Sequence, residues 1–250
     1  TVRHASRDDH GRKRRRLARK CPNCKRGSDM GVPALICALR VFIVGISLRR
    51  DEKEPILQAA AEDFFDKVGE YAKLGNRSRS AWNALLASRH YAKGAHLVGQ
   101  GELTRHVYFV RQGLLAQYHT DEEGDMVVKR FFLEQGFAAS TSALLTASES
   151  AFSIRAVEPV TVWEYDFLRF KALVREYPDI AAFYIAYMER HWVIEKEPLE
   201  ISFRNDDANQ KYARFRKIYP GLEARVKQHE IAAFLGVTPT QLSRIRSASR

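Results

Sequence analysis

Four polar residues near the end of the chain have the types and spacing to form hydrogen bonds with an external surface that presents an ordered array of donors and acceptors. Hydroxyl, amide and guanidinium groups can donate to, or accept from, the base edges that the major groove of DNA exposes. Leu242 and Ile245 alternate with these residues at helical spacing, so the polar groups fall on the opposite face. Thr238 can cap such a helix, and Pro239 suits its first position, where no amide hydrogen is needed. The four polar residues are Thr240, Gln241, Ser243 and Arg244.

A second helical pattern lies immediately before these residues. Ile231, Ala232 and Leu235 share one apolar face, and Gly236 follows, where a helix often ends because glycine accepts the left-handed conformation. Val237 can fill the gap between the two helices. This order of apolar, small, apolar, glycine and apolar positions resembles the DNA-binding helix-turn-helix. The alternative is an ordinary helical hairpin in a core, which does not require a capped second helix with a polar face.

The distribution of charge also points to this end of the chain. The formal net charge of the 250 residues is +11, and residues 1–50 account for it with 14 Lys/Arg against 3 Asp/Glu. Residues 51–204 carry 18 Lys/Arg against 23 Asp/Glu, whereas residues 205–250 carry 9 against 4. A mildly acidic body is therefore followed by a basic end. In that end, Lys227, Arg246 and Arg250 are predicted to contact phosphate groups.

Residues 1–54 form a basic extension that we predict to be poorly ordered. Cys21-Pro-Asn-Cys24 resembles half of a zinc site, but a closed structural site needs four ligands and no second pair is present. We therefore expect no metal. The chain begins with Thr1 and its first methionine is Met30, so the sequence leaves open whether residues 1–50 belong to the native protein.

Short β-rich runs separated by glycine or acidic turns dominate the middle of the chain. They lie at 93–102, 106–120, 126–136 and 152–165, and the acidic stretch 121–125 predicts a hairpin turn between the second and the third. Several short strands at this spacing indicate a barrel or a jelly roll. A helical pattern at 55–87 precedes them.

Two helices are predicted after the strands. Asp166 can cap the first, which Pro178 ends, and a long helix follows from Asp179 with a kink expected at Pro198. Apolar residues recur along one side of the long helix, and we predict that this stripe contacts a second subunit. The stripe consists of Ile180, Phe183, Tyr184, Tyr187, Met188 and Trp192.

A β-roll, a long helix and a C-terminal helix-turn-helix, in this order, resemble the Crp/Fnr transcription regulators over about residues 60–250. The resemblance implies a homodimer joined along the long helix, with one recognition helix of each subunit in successive major grooves. It also implies double-stranded DNA and RNA polymerase as partners. The matching residues are Lys93-Gly94, Gly101-Glu102, FVRQG (109–113), Gly136, DFLRFKALVREYP (166–178) and IAAFLGVTPTQLSRIR (231–246).

The sensor of this family offers a specific test for cyclic AMP. Members that bind it use a Gly-Glu pair for the ribose hydroxyl and an arginine about ten residues later for the phosphate. Here Ser140 and Thr141 stand at the Gly-Glu pair, Ser150 stands near the arginine position, and Arg155 comes too late. A buried phosphate without a cation is costly. We therefore expect no cyclic AMP binding, and an effector pocket, if one exists, at Ser140, Thr141, Ser142 and Ser150 for an unknown small molecule.

Two other classes of protein remain as alternatives. A cupin-like metal-dependent enzyme has the same kind of roll, but it needs clustered histidines, and His90, His96, His106 and His119 are scattered. A scaffold whose sensor and reader are both inactive would show no sequence-specific DNA binding. A cyclic-nucleotide-responsive regulator is the alternative within the same class.

The sequence thus predicts an α+β chain that is a regulator and not an enzyme, without a cofactor, located in the cytoplasm and away from the membrane. Its predicted parts are the extension at 1–54, a jelly-roll or β-roll sensor at 55–178, a dimerisation helix at 179–204 and a helix-turn-helix domain at 205–250.

Overall fold

The computed structural model describes residues 61–248, apart from the side chain of Phe203. The predictions for residues 1–54, including the Cys21 and Cys24 pair, lie outside the described residues. The start of the helical pattern at Pro55 lies outside them as well.

Two short helices precede the strands: α1 (Glu62–Gly69) and α2 (Asn76–Asn83). Helical spacing places Phe64 and Val68 on the buried side of α1. The ring of Trp82 meets that of Phe64 edge to face, with 5.2 Å between the ring centroids. These side chains form the outer layer of a core that covers one face of the strands.

Eight strands form two four-stranded sheets that face each other as a β-roll. One sheet has the order β1-β8-β3-β6 and the other β2-β7-β4-β5, and all strand pairs are antiparallel. The acidic turn at 121–125 joins β4 to β5, as the sequence predicts. The strands are β1 (Ala87–Tyr91), β2 (His96–Val98), β3 (His106–Gln112), β4 (Leu115–Thr120), β5 (Met126–Phe132), β6 (Phe137–Ala138), β7 (Ser153–Ala156) and β8 (Val160–Asp166).

Side-chain alternation along the strands separates the interior of the roll from its outer faces. On β3, Tyr108 and Val110 belong to the core between the sheets, whereas Val107 and Phe109 belong to the core under the helices. On β8, Tyr165 lies opposite Val107 and shares its outer face. Both faces of the first sheet are therefore covered.

Two helices flank the last strands: α3 (Thr141–Thr146), between β6 and β7, and α4 (Phe167–Glu176), after β8. The Asp166 carboxylate accepts a hydrogen bond from the amide of Arg169 at 2.8 Å, which confirms the predicted cap of α4. Pro178 does not merely end α4, because it also begins the next helix.

The long helix consists of α5 (Pro178–Glu189), a π-helical turn (Arg190–Ile194) and α6 (Lys196–Asn205). The irregular turn comes before Pro198, at the position where a proline removes the partner of a preceding carbonyl. Pro198 itself is the third residue of α6.

The long helix turns a different face outward from the one that the sequence predicts. Ile180 is 0% exposed and Phe183 is 3% exposed, because both pack into the core beneath the first sheet. Tyr184 and Tyr187 pack partly against the same core. The prediction that Ile180 and Phe183 contact a second subunit is therefore wrong, since their own chain covers them. The large apolar residues that the long helix exposes are Ile185, Trp192, Val193, Ile194 and Ile201.

Three helices and a 3-10 turn follow: α7 (Ala208–Ile218), the turn (Leu222–Ala224), α8 (Gln228–Leu235) and α9 (Pro239–Ala248). Their buried residues form one core, which includes Phe215, Leu222, Ile231 and Leu242. The same core continues into the outer face of the second sheet.

The second sheet and the C-terminal helices share aromatic packing. Phe131 of β5 meets Tyr219 edge to face at 5.8 Å between ring centroids, and it lies at the same centroid distance from Phe234 of α8. The hydroxyl of Tyr219 accepts a hydrogen bond from the Phe131 amide at 3.4 Å. Because alternate residues of β5 face opposite ways, the neighbouring Phe132 packs inside the roll.

Ion pairs surround this shared core. Arg225 pairs with Glu134 at 2.7 Å and with Glu158 at 2.5 Å, both in the loops of the roll. The hydrogen bond from Arg225 lowers the pKa of Glu134 below its usual value. Arg155 of β7 pairs with Glu230 of α8 at 2.5 Å. The C-terminal helices are thus held against the roll by both apolar and charged contacts.

Candidate functional site

The turn between α8 and α9 has the geometry that the sequence predicts. Gly236 ends α8 with φ of 68°, in the left-handed region that favours glycine. The amide of Val237 donates to the carbonyl of Ala232 at 3.1 Å, which satisfies one of the free carbonyls at the helix end. Ala232 is 1% exposed, as expected where two helices approach closely.

A reciprocal pair of hydrogen bonds fixes the start of α9. The backbone amide of Gln241 donates to the Thr238 hydroxyl at 3.2 Å, and the backbone amide of Thr238 donates to Oε1 of Gln241 at 2.9 Å. This is a capping box, in which Gln241 takes the role more often filled by glutamate. Pro239 is the first residue of α9, as predicted. The side-chain oxygen of Gln241 therefore accepts a hydrogen bond within the protein, whereas its Nε2 takes no part in the capping box.

The outer face of α9 is exposed. Thr240, Gln241, Ser243 and Arg244 are all exposed, whereas Leu242 and Ile245 are buried. Within residues 61–248, Arg244 forms no ion pair or side-chain hydrogen bond with another side chain. Its guanidinium keeps its five donors for an external acceptor.

Two of the three predicted phosphate contacts differ in their surroundings, and the third, Arg250, lies outside the described residues. Lys227 is exposed immediately before α8, and its backbone amide donates to Glu230 at 3.0 Å. Arg246 is half-buried, and its Nε lies 3.4 Å from an oxygen of Glu223 in the 3-10 turn. Arg246 must therefore exchange an intramolecular partner before it can bind a phosphate.

The two serines at the predicted cyclic nucleotide positions meet inside the protein. The hydroxyl oxygens of Ser150 and Ser140 lie 2.8 Å apart, within hydrogen-bond distance, and the two residues are 2% and 3% exposed. The Ser150 hydroxyl is also 2.6 Å from the carbonyl of Phe152. The pair is thus satisfied by neutral partners, and it contains neither a carboxylate nor a guanidinium.

The remaining candidates for an effector pocket are not gathered around this pair. Ser142 is exposed on α3, and Thr141 lines a separate apolar cleft outside the roll. Arg155 points away from the roll interior, because its neighbours Ile154 and Ala156 face inward. Its partner is Glu230, so it is not available to a ligand inside the roll.

Sequence reasoning missed three arrangements of side chains. It did not anticipate the Arg155–Glu230 pair, although an arginine at an outward strand position was a signal that another element covers the strand. It also missed the hydrogen-bonded row of Tyr71, His191 and Glu195, in which His191 lies 2.8 Å from the tyrosine hydroxyl and 2.7 Å from the carboxylate. The third is the apolar cleft that Thr141 lines.

Two further kinds of site are absent from the described part of the chain. Between residues 61 and 248, no group of three or more His, Cys, Asp or Glu side chains is placed to hold a metal ion. In the same range, no helix is both long enough and apolar enough to cross a membrane.

Residues 88–177 match the cyclic nucleotide-binding domain family. The match runs from β1 to the end of α4, so it covers the roll and neither the long helix nor the C-terminal helices. A comparison with curated protein sequences gives no significant match.

Solved structures with the same fold include several regulators. The c-di-GMP responsive global regulator CLP of Xanthomonas campestris superposes with a TM-score of 0.55 at 14% identity, over 70% of this chain and 91% of that chain. FixK2 of Bradyrhizobium japonicum gives a TM-score of 0.54 at 16% identity, over 65% and 83%. A putative cAMP-binding regulatory protein of Silicibacter pomeroyi gives 0.52 at 20% identity, over 78% and 87%. At these identities the likeness establishes the fold alone.

Proposed function

We propose that this chain is a sequence-specific DNA-binding transcription regulator of the Crp/Fnr type. The observation that carries the proposal is the exposed polar face of α9, with Arg244 free of other side chains on a helix that is otherwise anchored by Leu242 and Ile245. A helix of this kind fits the major groove, where base edges present a distinct pattern for each base pair.

The side chains on α9 have different roles in this proposal. Arg244 can donate two parallel hydrogen bonds to a guanine, while Thr240 and Ser243 can contact either bases or phosphates. Gln241 keeps its oxygen in the capping box, so its Nε2 serves as a donor to a base acceptor. Lys227 is the first phosphate contact, and Arg246 joins it only by leaving Glu223.

A second copy of the chain is the proposed partner along the long helix. Ile185, Trp192 and Ile201 are 55%, 37% and 62% exposed, so the long helix presents large apolar side chains to its surroundings along its length. Tyr184, Tyr187, Met188 and Trp192 are not fully buried and remain in the proposed interface from the stripe that the sequence predicts, and Ile185 is added to them. A dimer would place two copies of α9 on one DNA duplex, and RNA polymerase and a cytoplasmic location remain part of the proposal.

The fold comparisons support a regulator without identifying its ligand. CLP is described as responsive to c-di-GMP, and the Silicibacter protein as putatively cAMP-binding. For this chain we propose a sensor that does not bind cyclic AMP, because Ser140 and Ser150 satisfy each other and provide no charge for a ribose-phosphate. The match of residues 88–177 favours a cyclic-nucleotide-responsive regulator as the second candidate.

Thermal unfolding separates the two candidates for the sensor. Cyclic AMP that saturates a site at about 100 times its dissociation constant stabilises the folded state by roughly 2.7 kcal/mol. We expect no rise in melting temperature with millimolar cyclic AMP. A rise of several degrees would support the second candidate instead.

Selection of bound sequences from random DNA tests the proposed function as a whole. A dimeric reader should enrich a palindromic site whose half-site centres lie about 10 base pairs apart. If the recovered DNA shows no enriched sequence even at low salt, the chain does not recognise a DNA sequence. That result would favour the alternative of a scaffold protein.

Two alanine variants on the selected site test the placement of α9. Arg244→Ala should lose about 1–3 kcal/mol on that site and relax the preference at one base position. Lys227→Ala should weaken binding to selected and scrambled DNA alike, and lower the salt slope by about one unit. Equal losses for Arg244→Ala on both DNAs would mean that Arg244 does not read bases.

A further inference from the structure

An apolar cleft, which we call the aromatic cleft, lies outside the roll between the first sheet, α3, α4 and the long helix. It contains about 60 Å³ of free space. A single buried water needs only about 10–15 Å³, so the cleft admits several heavy atoms. Neither Ser140 nor Ser150 lines it. Its walls include Val107, Leu144, Tyr165, Phe170, Tyr187 and Trp192.

The hydroxyl group of Tyr165, in the wall of the aromatic cleft, forms no hydrogen bond with another group of residues 61–248. Tyr165 as a whole is 4% exposed, but its hydroxyl oxygen does not belong to the fully enclosed atoms that lack a partner, so it is open to the cleft. A tyrosine hydroxyl in a largely apolar wall usually binds a polar partner. Other buried tyrosines follow this rule: Tyr108 donates to the carbonyl of Leu97 at 3.0 Å.

The charge of the cleft limits the ligands that it can take. Its lining has no Lys, Arg, His, Asp or Glu among the described residues. Burial raises the pKa of Tyr165 well above its usual value, with smaller contributions from Tyr187 and Tyr184, so its hydroxyl stays protonated and acts as a donor. An anionic ligand would lack a counter-charge, whereas a neutral acceptor would satisfy the hydroxyl.

We propose that the aromatic cleft is a binding site for a small, uncharged and largely apolar molecule whose carbonyl oxygen accepts a hydrogen bond from Tyr165. The apolar part of the molecule packs on Phe170 and Phe183. Any part that exceeds the enclosed space lies at the mouth beside Trp192, which is 37% exposed and would also face the second subunit in the proposed dimer. This inference concerns the sensor half of the chain and does not depend on DNA binding.

The site connects the roll to the long helix. Tyr165 belongs to β8, whereas Phe183, Tyr187 and Trp192 belong to α5 and the π-helical turn. A ligand in the aromatic cleft therefore contacts both elements at once. It stabilises the arrangement in which the long helix lies against the sheet, since binding to the folded form alone favours that form.

A matched pair of probes tests the hydrogen bond. Acetophenone carries a carbonyl oxygen, and α-methylstyrene has nearly the same shape with a methylene group in place of that oxygen. Their dissociation constants are measured by ligand-observed saturation-transfer NMR on the full chain, on Tyr165→Phe and on Tyr91→Phe. Tyr91 is the control, because its hydroxyl bonds to Glu164 and does not line the cleft.

We expect Tyr165→Phe to weaken acetophenone relative to α-methylstyrene by about threefold to tenfold, as the loss of one net hydrogen bond implies. Tyr91→Phe should leave this ratio unchanged. Ala139→Leu, which fills part of the cleft, should weaken both probes. The proposal is overturned if neither probe binds saturably at millimolar concentration, or if Tyr165→Phe leaves the ratio of the two constants unchanged.

Discussion

Arg155 of β7 and Glu230 of α8 form an ion pair at 2.5 Å between the sensor roll and the proposed DNA reader. The Glu230 side chain is 4% exposed, and its other oxygen accepts a hydrogen bond from the amide of Lys227. The same carboxylate thus caps α8 and ties that helix to the second sheet. One residue therefore couples the local structure of the reader to its position on the roll.

Removal of Arg155 should leave the carboxylate of Glu230 buried without its cation. We expect Arg155→Met to lower the free energy of unfolding by about 1–3 kcal/mol in urea titrations. The double variant Arg155→Met/Glu230→Gln should recover part of that loss, because a neutral amide needs no counter-charge. Arg89→Met is the control: its partner is Glu164 but Arg89 is 60% exposed, so the loss should stay below about 1 kcal/mol. If Arg155→Met lowers the free energy of unfolding by the same amount whether residue 230 is Glu or Gln, the two side chains are not coupled.

Gly236 should tolerate no side chain without strain. Nothing lies within 4 Å of an added Cβ, so the cost of Gly236→Ala arises only from its φ of 68°. Left-handed backbone costs an L-residue roughly 1–2 kcal/mol, and we expect a loss of that size in urea unfolding. Gly69→Ala is the matched control, because Gly69 also has open space but no positive φ. A similar loss for both variants would rule out backbone strain as the cause.

His191 should make stability depend on pH. Its ring lies between Tyr71 and Glu195, with Arg190 and Arg130 nearby, and burial lowers its pKa despite the opposing effect of Glu195. The unfolded chain then takes up a proton before the folded chain does. Stability is thus present above the unfolded pKa and decreases as pH falls through about 6.5.

The comparison for this prediction is His191→Gln, which keeps a neutral donor and acceptor but cannot titrate. Melting temperatures of both proteins are measured from about pH 7.5 to about pH 5.5, the range in which histidine titrates. The decrease in melting temperature over this pH range should be smaller in His191→Gln than in the unmodified protein. Parallel curves would show that groups other than His191 cause the decrease.

The exposed face of the long helix should hold a second subunit. We expect Ile185→Glu to raise the dissociation constant of the dimer by about 100-fold, which corresponds to roughly 2.8 kcal/mol, because two carboxylates would meet in an apolar contact. Leu168→Glu on α4 is the control, since Leu168 is equally apolar and 68% exposed but outside this face. Light scattering gives the mass of each protein across a dilution series. A dimer that persists in Ile185→Glu and dissociates in Leu168→Glu would place the contact on α4.

Local signals were sufficient for much of the fold. The cap at Asp166, the left-handed Gly236, the hairpin at 121–125 and the first position of α9 each depend on a few neighbouring residues, and the structure has all of them. The buried pattern of α8 and α9 also follows from periodicity alone. These features are local, so long-range packing does not change them.

Local sequence signals could not predict which face of the long helix packs against the sheet. Its sequence is apolar around much of its circumference, so periodicity does not show which apolar side faces the sheet and which faces outward. Phe183 is buried because Trp82 lies 5.0 Å from it between ring centroids, a contact over about a hundred residues. The aromatic cleft and the Arg155–Glu230 pair also bring together distant parts of the chain, and a single sequence holds no direct signal for them.

The core shared by Phe131, Tyr219 and Phe234 means that the roll and the C-terminal helices cannot be exchanged freely between proteins. A chain cut near residue 205 would expose Val128 and Phe131 on the second sheet to water, and isolated C-terminal helices would lose the surface on which Phe234 packs. Calorimetry of the described region should accordingly give one heat-absorption peak for both parts. A substitution at Phe131 therefore changes the surface on which the C-terminal helices pack as well as the strand that carries it.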